Sequence, residues 1–502
     1  VFTFVWQSVP TMGKSADPRH LEVERKFDVV ETTVSPSFDG LTSVARVERG
    51  PTQRLDAVYF DTPNRALAAR RITLRRRTGG PDAGWHLKLP AGPDARTEVC
   101  EPLARGDADE VPEALRDVVL AIVRDRPLLP SARISTTRTV DVLYDAGGNA
   151  LAEFCDDQVT AQALPDGEPQ HWREWEIELV AGDRDLLDRL TNRLLDAGAR
   201  PAGHGSKLAR TLADSTEPAA SPPSDPIHRA VAELVEQLLV WDRAVRADAY
   251  DSVHHMRVTT RRIRSLLQTS GATFGITEDA WILDELRQLA AVLGGARDAE
   301  VLAERYDRAL TELPAELVRG PVRERLVEGA RKRYATGLRR SLNAMRSQRY
   351  FRLLDALDAL VAAAPVPPPV GDEPGAPATI EAAYKRIRKA AKAAEQAAEA
   401  ERDEALHRIR KGAKRLRYTA AAIGADKVSE RAKEIQTLLG DHQDAVVSRT
   451  HLSRQAEAAH IAGEDTFTYG VLYQMEDEAA RAARSRLDSA LKKLDRTVRK
   501  QR

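Results

Sequence analysis

Cysteine, aromatic residues, net charge and long apolar runs are all scarce in this chain of 502 residues. Its two cysteines, Cys100 and Cys155, stand far apart and lack the close Cys or His neighbours that a zinc site shows in sequence, so they read as reduced, packed thiols. No apolar run reaches the length that spans a bilayer. Residues 1–10 have no basic stretch ahead of their short apolar segment, so secretion is not indicated and the cytoplasm is the expected location. Aromatics make up 5% and charged residues 30%, yet 42% hydrophobic content is ample for globular folding.

Charge is plentiful but unevenly placed. Residues 1–224 hold 28 Lys and Arg against 35 Asp and Glu, net −7; residues 225–502 hold 48 against 41, net +7. Clustered carboxylates suit divalent cations, and a basic half suits an anionic partner. Two Pro-rich breaks, at 216–226 and 364–377, cannot continue a helix or a central strand. The expected organisation is a disordered or mis-started extension (1–18), a first domain (19–213), a linker (214–226), a helical block (227–363), a second linker (364–378) and a second helical block (379–502).

The first domain contains LEVERKF, RLDAVYF, ITLRRR, WHLKLP and EWEIELV, whose period of two is that of strands. In a strand, Glu22, Glu24 and Lys26 share one face while Leu21, Val23 and Arg25 take the other. Glu176 with Glu178, Arg75 with Arg77, and His86 with Lys88 repeat the device. On an open sheet such a face is simply wet. Because the opposite positions are so often apolar, they call for a core outside the charged surface, and a closed sheet then has a polar lumen. Acids and bases together suit a polyanion held with a hard divalent metal.

The ExExK pattern Glu22-Val23-Glu24-Arg25-Lys26 is followed in order by Tyr59-Phe60-Asp61-Thr62, Leu74-Arg75-Arg76-Arg77, Leu87-Lys88-Leu89-Pro90, the stretch from Arg133 to Arg138, Glu153-Phe154-Cys155-Asp156-Asp157, Glu176-Ile177-Glu178 and Ser206-Lys207. This series resembles the CYTH domains of the triphosphate tunnel metalloenzymes. The resemblance implies a closed antiparallel β-barrel with helices and a catalytic set of Glu22, Glu24, Lys26, Glu176 and Glu178. It implies Mg²⁺ or Mn²⁺ held by Glu22, Glu24 and Glu178, with Glu176 and Glu153 as further ligands or water-positioning groups. Lys26, Arg75, Arg77, Lys88, Arg133, Arg138 and Lys207 would grip the phosphates. Asp61 and Asp157 read as turn or network residues.

Both later blocks have apolar positions three or four apart, as in packed amphipathic helices. They are copies of one another. His254, Arg257, Arg261 and Arg264 recur at the same spacing as His407, Arg410, Lys414 and Arg417, and each set falls on one helix face. Leu293-Gly294-Gly295-Ala296-Arg297-Asp298 is echoed by Leu439-Gly440-Asp441-His442-Gln443-Asp444. A single Arg-rich face is usually just solvated, but its repetition points to a shared use, and a stripe of about 15 Å can follow a chain of phosphates. With VHHMRVTTRRIRSLL at 253–267 and LHRIRKGAKRLRY at 406–418, the blocks resemble a CHAD domain. That resemblance implies duplicated four-helix bundles whose basic residues bind inorganic polyphosphate, with Arg262 and Arg415 added to the eight stripe residues and Asp298 and Asp444 orienting them.

The expectation is an α+β multidomain enzyme that hydrolyses inorganic triphosphate in its tunnel and binds polyphosphate on its helical half, cytoplasmic or at polyphosphate granules, with no membrane partner. Two alternatives stand beside it: a non-catalytic polyphosphate-binding or granule-targeting protein, and an enzyme acting on thiamine triphosphate or a nucleotide. Nucleic acid is disfavoured, because the stripes carry almost no stacking aromatics besides Tyr418.

Overall fold

The computed structural model describes residues 19–103, 110–213, 225–277, 280–363, 380–422 and 424–500. The extension at 1–18 and nearly all of both linkers lie outside the described residues.

The first domain runs β1 (Arg19–Val29), β2 (Arg46–Arg49), β3 (Gln53–Asp61), β4 (Thr73–Thr78), β5 (Gly84–Pro90), β6 (Ala95–Pro102), α1 (Glu113–Val118), α2 (Leu120–Val123), β7 (Leu129–Tyr144), β8 (Ala150–Ala163), β9 (Gln170–Leu179), α3 (Arg184–Asp196), β10 (Arg200–Pro201) and α4 (Lys207–Thr211). Eight strands close antiparallel in the order β1-β6-β5-β4-β3-β7-β8-β9, and β1 pairs again with β9 to seal the ring. Strand parity then sorts the side chains. On the outside, Phe27, Phe154, Trp175 and Ile177 pack against Leu186, Leu187, Leu190 and Leu194 of α3, whose start Asp183 caps by accepting from the Leu186 amide. The main apolar core therefore sits outside the barrel, and the charged positions face in.

The rest of the chain is helical: α5 (Pro226–Arg246), α6 (Ser252–Thr269), α7 (Trp281–Glu312), α8 (Gly329–Met345), α9 (Gln348–Ala362), α10 (Ile380–Gln396), α11 (Glu399–Ala422), α12 (Asp426–Ile461) and α13 (Phe467–Arg499). Among the described residues no helix is long and apolar enough to cross a membrane. The second block forms the expected four helices. In the first, the last helix is broken between α8 and α9, so the two copies differ.

By packing, the chain forms two compact units, and they do not follow the sequence blocks. One comprises the described residues up to Ser252 together with Met345–Val361; the other comprises Val253–Ala344 with the described residues from Ala362 onward. Helices α5 and α9 thus belong with the barrel. Buried Arg124, just past α2, pairs with Asp355 and Asp358 of α9. Arg246 of α5 reaches Asp117 at 3.0 Å and Asp242 at 2.6 Å, and the Tyr350 hydroxyl of α9 donates to Asp242 at 2.8 Å.

Candidate functional site

The lumen is a cavity of about 250 Å³ whose lining combines Glu22, Glu24, Glu153, Glu176 and Glu178 with Lys26, Arg75, Arg77, Lys88, Arg138 and Lys207. Register explains the assembly. Glu24 on β1 lies opposite Glu178 on β9, and Glu178 lies opposite Glu153 on β8, so three carboxylates stand in a row across adjacent strands with Glu22 two residues along. Cations lie on the same inward faces: Lys88 Nζ is 2.6 Å from Glu22, and Lys26 Nζ is 2.7 Å from Glu24.

The carboxylates differ in how they are compensated. Glu176 is heavily paired: Lys26 and Lys207 hold one oxygen and Arg138 holds the other at 2.5 Å. These cations drive its carboxyl well below the ordinary range despite its burial. Protein cations already compensate Glu176, so it needs a metal less than its neighbours do. Glu178 is the opposite case. It has no ion pair or hydrogen bond among the described residues, and burial, with Glu22 and Glu24 adding to it, pushes it up to about 7. A half-buried acid beside two others, with no ion-paired cation of its own, is the donor set that a divalent ion stabilises.

Lys207 also differs from expectation. Ser206 caps α4 by accepting from the Ala209 amide, and Leu208 and Leu212 bury against β7 and β8, which drives the Lys207 ammonium inward. There it sits 2.8, 2.7 and 2.8 Å from Asp157, Glu174 and Glu176. These three acids also have the spacing of a metal cluster, but the ammonium fills it, so Lys207 serves the tunnel wall before any phosphate. Asp157 is a network residue, as expected, bound by Arg138 and Lys207. Asp61 is a turn residue, accepting from the amides of Thr62, Leu67 and Ala68.

Arg133 is corrected outright. It is exposed on the outer face of β7, because Ile134, Thr136 and Arg138 take the inward parity. The sequence reading missed Tyr59, Arg96, Glu98, Asp82 and His20, all of which line the cavity. For His20 and Glu98 the signal was present: each stands two residues from a charged lumen residue on its own strand. The cationic wall is also undercompensated. Arg75 donates to the Tyr59 hydroxyl at 3.2 Å, and Arg77, paired with the exposed Asp82, is pulled down to about 10 by burial and by Arg75 and Arg138.

In the helical unit, Arg257, Arg261 and Arg264 of α6 share one electrostatic cluster with Arg410, Lys414 and Arg417 of α11. Burial and four of these arginines pull Lys414 down to about 8, and Arg261 is likewise lowered. The repeated glycines seat this cluster. A Cβ on Gly294 of α7 would lie 3.4 Å from the Arg257 guanidinium, and one on Gly440 of α12 would lie 3.2 Å from that of Arg410. Arg257 and Arg264 donate to the backbone oxygens of Ala290 and Leu283, each at 3.2 Å. His254 and His407 are half-buried on the same helices. Arg262 and Arg415 are exposed, and no described interaction joins them to the cluster. Asp444 lies in the field of Arg410 and Arg305.

Comparison with known families identifies the two domains that carry these residues. The CYTH domain model matches residues 20–211 and the CHAD domain model residues 229–453. Two curated proteins from Mycobacterium tuberculosis, of strains CDC 1551 / Oshkosh and ATCC 25618 / H37Rv, are each 66% identical over 508 aligned residues, covering 96% of this chain and 98% of their own. The chain belongs to the CYTH–CHAD family. Its CYTH half therefore has the architecture of the metal-dependent triphosphate tunnel enzymes, and its basic helical faces lie in the CHAD half. Among solved structures, PptA from Streptomyces chartreusis matches at TM-score 0.43 and 21% identity, over 54% of this chain and 100% of that one. The CHAD domain from the plant Ricinus communis matches at 0.41 and 23%, over 55% and 93%.

Proposed function

We propose that the CYTH tunnel hydrolyses inorganic triphosphate with Mg²⁺ or Mn²⁺ and that the CHAD face binds inorganic polyphosphate. The observation that carries this reading is a double deficit in one cavity. Glu178 has no ion-paired cation among the described residues, and on the wall four strands away round the barrel Arg77, though paired with Asp82, is held below its ordinary value by burial and by Arg75 and Arg138. A metal–triphosphate complex meets both deficits at once. The metal, held by Glu22, Glu24, Glu178 and Glu153, would supply charge neutralisation and orient the phosphoryl oxygens. Arg75, Arg77 and Lys88 would grip the chain, so that hydrolysis needs only a positioned water. Lys26, Arg138 and Glu176 hold the wall in register.

The cavity of about 250 Å³ is smaller than the roughly 300–1,000 Å³ typical of pockets for drug-sized ligands. That favours an inorganic chain over thiamine triphosphate or a nucleotide. On the helices, six clustered cations with depressed Lys414 and Arg261 favour a linear polyanion, which would also bring the protein to polyphosphate granules.

The test is phosphate release from inorganic triphosphate by the intact chain with Mg²⁺ or Mn²⁺. Metal-dependent turnover lost in Glu24→Ala supports the reading. Absence of turnover on triphosphate, nucleotides and thiamine triphosphate, with polyphosphate still bound, would make this a binding protein. Competition between polyphosphate and RNA at one fixed salt concentration tests the anion preference of the CHAD face.

A further inference from the structure

The barrel wall carries a second group of side chains that triphosphate hydrolysis leaves unused. His86 on β5 and Cys100 on β6 are cross-strand partners, and Glu98 lies two residues before Cys100 on the same face. Nδ1 of His86 is 2.9 Å from Glu98 Oε1 and 3.5 Å from Cys100 Sγ. The three donor atoms all lie within 4.8 Å of one another. Donors bound tetrahedrally at about 2.0–2.3 Å from one ion stand roughly 3.3–3.8 Å apart, so little movement would bring these three around a common centre.

The neutral ring offers such an ion one lone pair. Nε2 of His86 faces the backbone carbonyl oxygen of Asp82 at 3.0 Å. A carbonyl only accepts, so Nε2 carries the ring hydrogen and Nδ1 is a lone pair. That lone pair points at a carboxylate oxygen. Burial, with Arg75 and Arg77 adding to it, lowers the imidazole below its ordinary value in spite of Glu98, which favours the neutral ring that a metal needs. The Cys100 thiol has one proton to give, to Nδ1 or to Glu98. The Nε2–H to carbonyl bond is also the outer contact by which ligating histidines are commonly oriented.

We propose that His86 Nδ1, the Glu98 carboxylate and the Cys100 thiolate form a binding site for a borderline-soft divalent ion of the Zn²⁺ class, distinct from the carboxylate row of Glu24, Glu178 and Glu153. Nitrogen and sulfur donors select against Mg²⁺. Binding displaces the thiol proton to solvent, and Cys100 is exposed, so an ion can reach it. Glu98 is shared with the lumen, 3.8 Å from Lys88; the site does not depend on whether the tunnel turns over triphosphate.

The experiment is a titration of the full chain with Zn²⁺ against a chromogenic chelator, with Co²⁺ as a spectroscopic probe of thiolate ligation. One equivalent of Zn²⁺ that excess Mg²⁺ does not displace, and a thiolate-to-Co²⁺ charge-transfer band, are expected. Cys100→Ser should abolish the band and weaken Zn²⁺ binding about tenfold or more, and His86→Gln should weaken it similarly. Cys155→Ser and Glu24→Ala should leave both readouts unchanged. Failure to bind stoichiometric Zn²⁺, a site that persists in Cys100→Ser, or one lost in Glu24→Ala would overturn the assignment, and the last result would place the ion in the carboxylate row instead.

Discussion

At the scale of single residues, the tunnel separates carboxylates that look alike in sequence. Glu176 and Glu178 are two apart on one strand and both face inward, yet one is held far below its ordinary range and the other rises to about 7. For Glu178 the folded value lies above the ordinary 4.5. Its contribution to stability is thus fully present below about pH 4.5 and is lost as pH rises through about 7. Metal-free protein should therefore lose on the order of 1–3 kcal/mol between about pH 5 and 8, and Glu178→Gln should remove that loss. Added Mg²⁺ should restabilise the parent at about pH 8 but hardly affect the variant; thermal unfolding with and without metal measures both. Cys100 also departs from expectation, being exposed where a packed thiol was expected, whereas Cys155 is buried.

At the scale of elements, α4 and the glycine-bearing helices do the positioning. Lys207→Met would strand Asp157, Glu174 and Glu176, all buried, around a missing charge. A loss of about 3–5 kcal/mol in urea unfolding is the expected cost; a loss below about 1 kcal/mol would mean that the cage is not held by this ammonium. On the helical side, Gly294→Val and Gly440→Val should displace Arg257 and Arg410 from their seats. Polyphosphate affinity should fall several-fold while phosphate release stays unchanged. Lys414, lowered to about 8, should make polyphosphate binding weaken as pH rises past about 8, because the anion binds the protonated form; Lys414→Arg should flatten that limb of a binding curve measured at constant ionic strength.

At the scale of the whole molecule, the packing unit that contains the barrel also holds α5 and α9, tied by Arg124, Arg246 and Tyr350. Arg124→Leu should uncouple them, so that calorimetry resolves two transitions where the parent shows one for this unit; an unchanged transition would show that apolar contacts alone suffice. Much of the architecture was legible beforehand, because alternation along a strand and the three-to-four repeat of a helix follow from local backbone geometry. Parity placed Glu22, Glu24, Lys26, Arg75, Arg77 and Lys88 on inward faces, and duplication matched the stripe on α6 to that on α11. Arg133 failed because a motif match ignored parity. What the sequence could not reveal was which charges neutralise which: Lys207 reaches Glu176 across 31 positions, and His86 meets Cys100 only through the pairing of β5 with β6. The sequence alone thus determined the residue types and the faces they occupy. Only the tertiary structure decided which carboxylate the protein's own cations neutralise and which helices pack with the barrel, because ion pairing and packing depend on strand register and on contacts between distant segments.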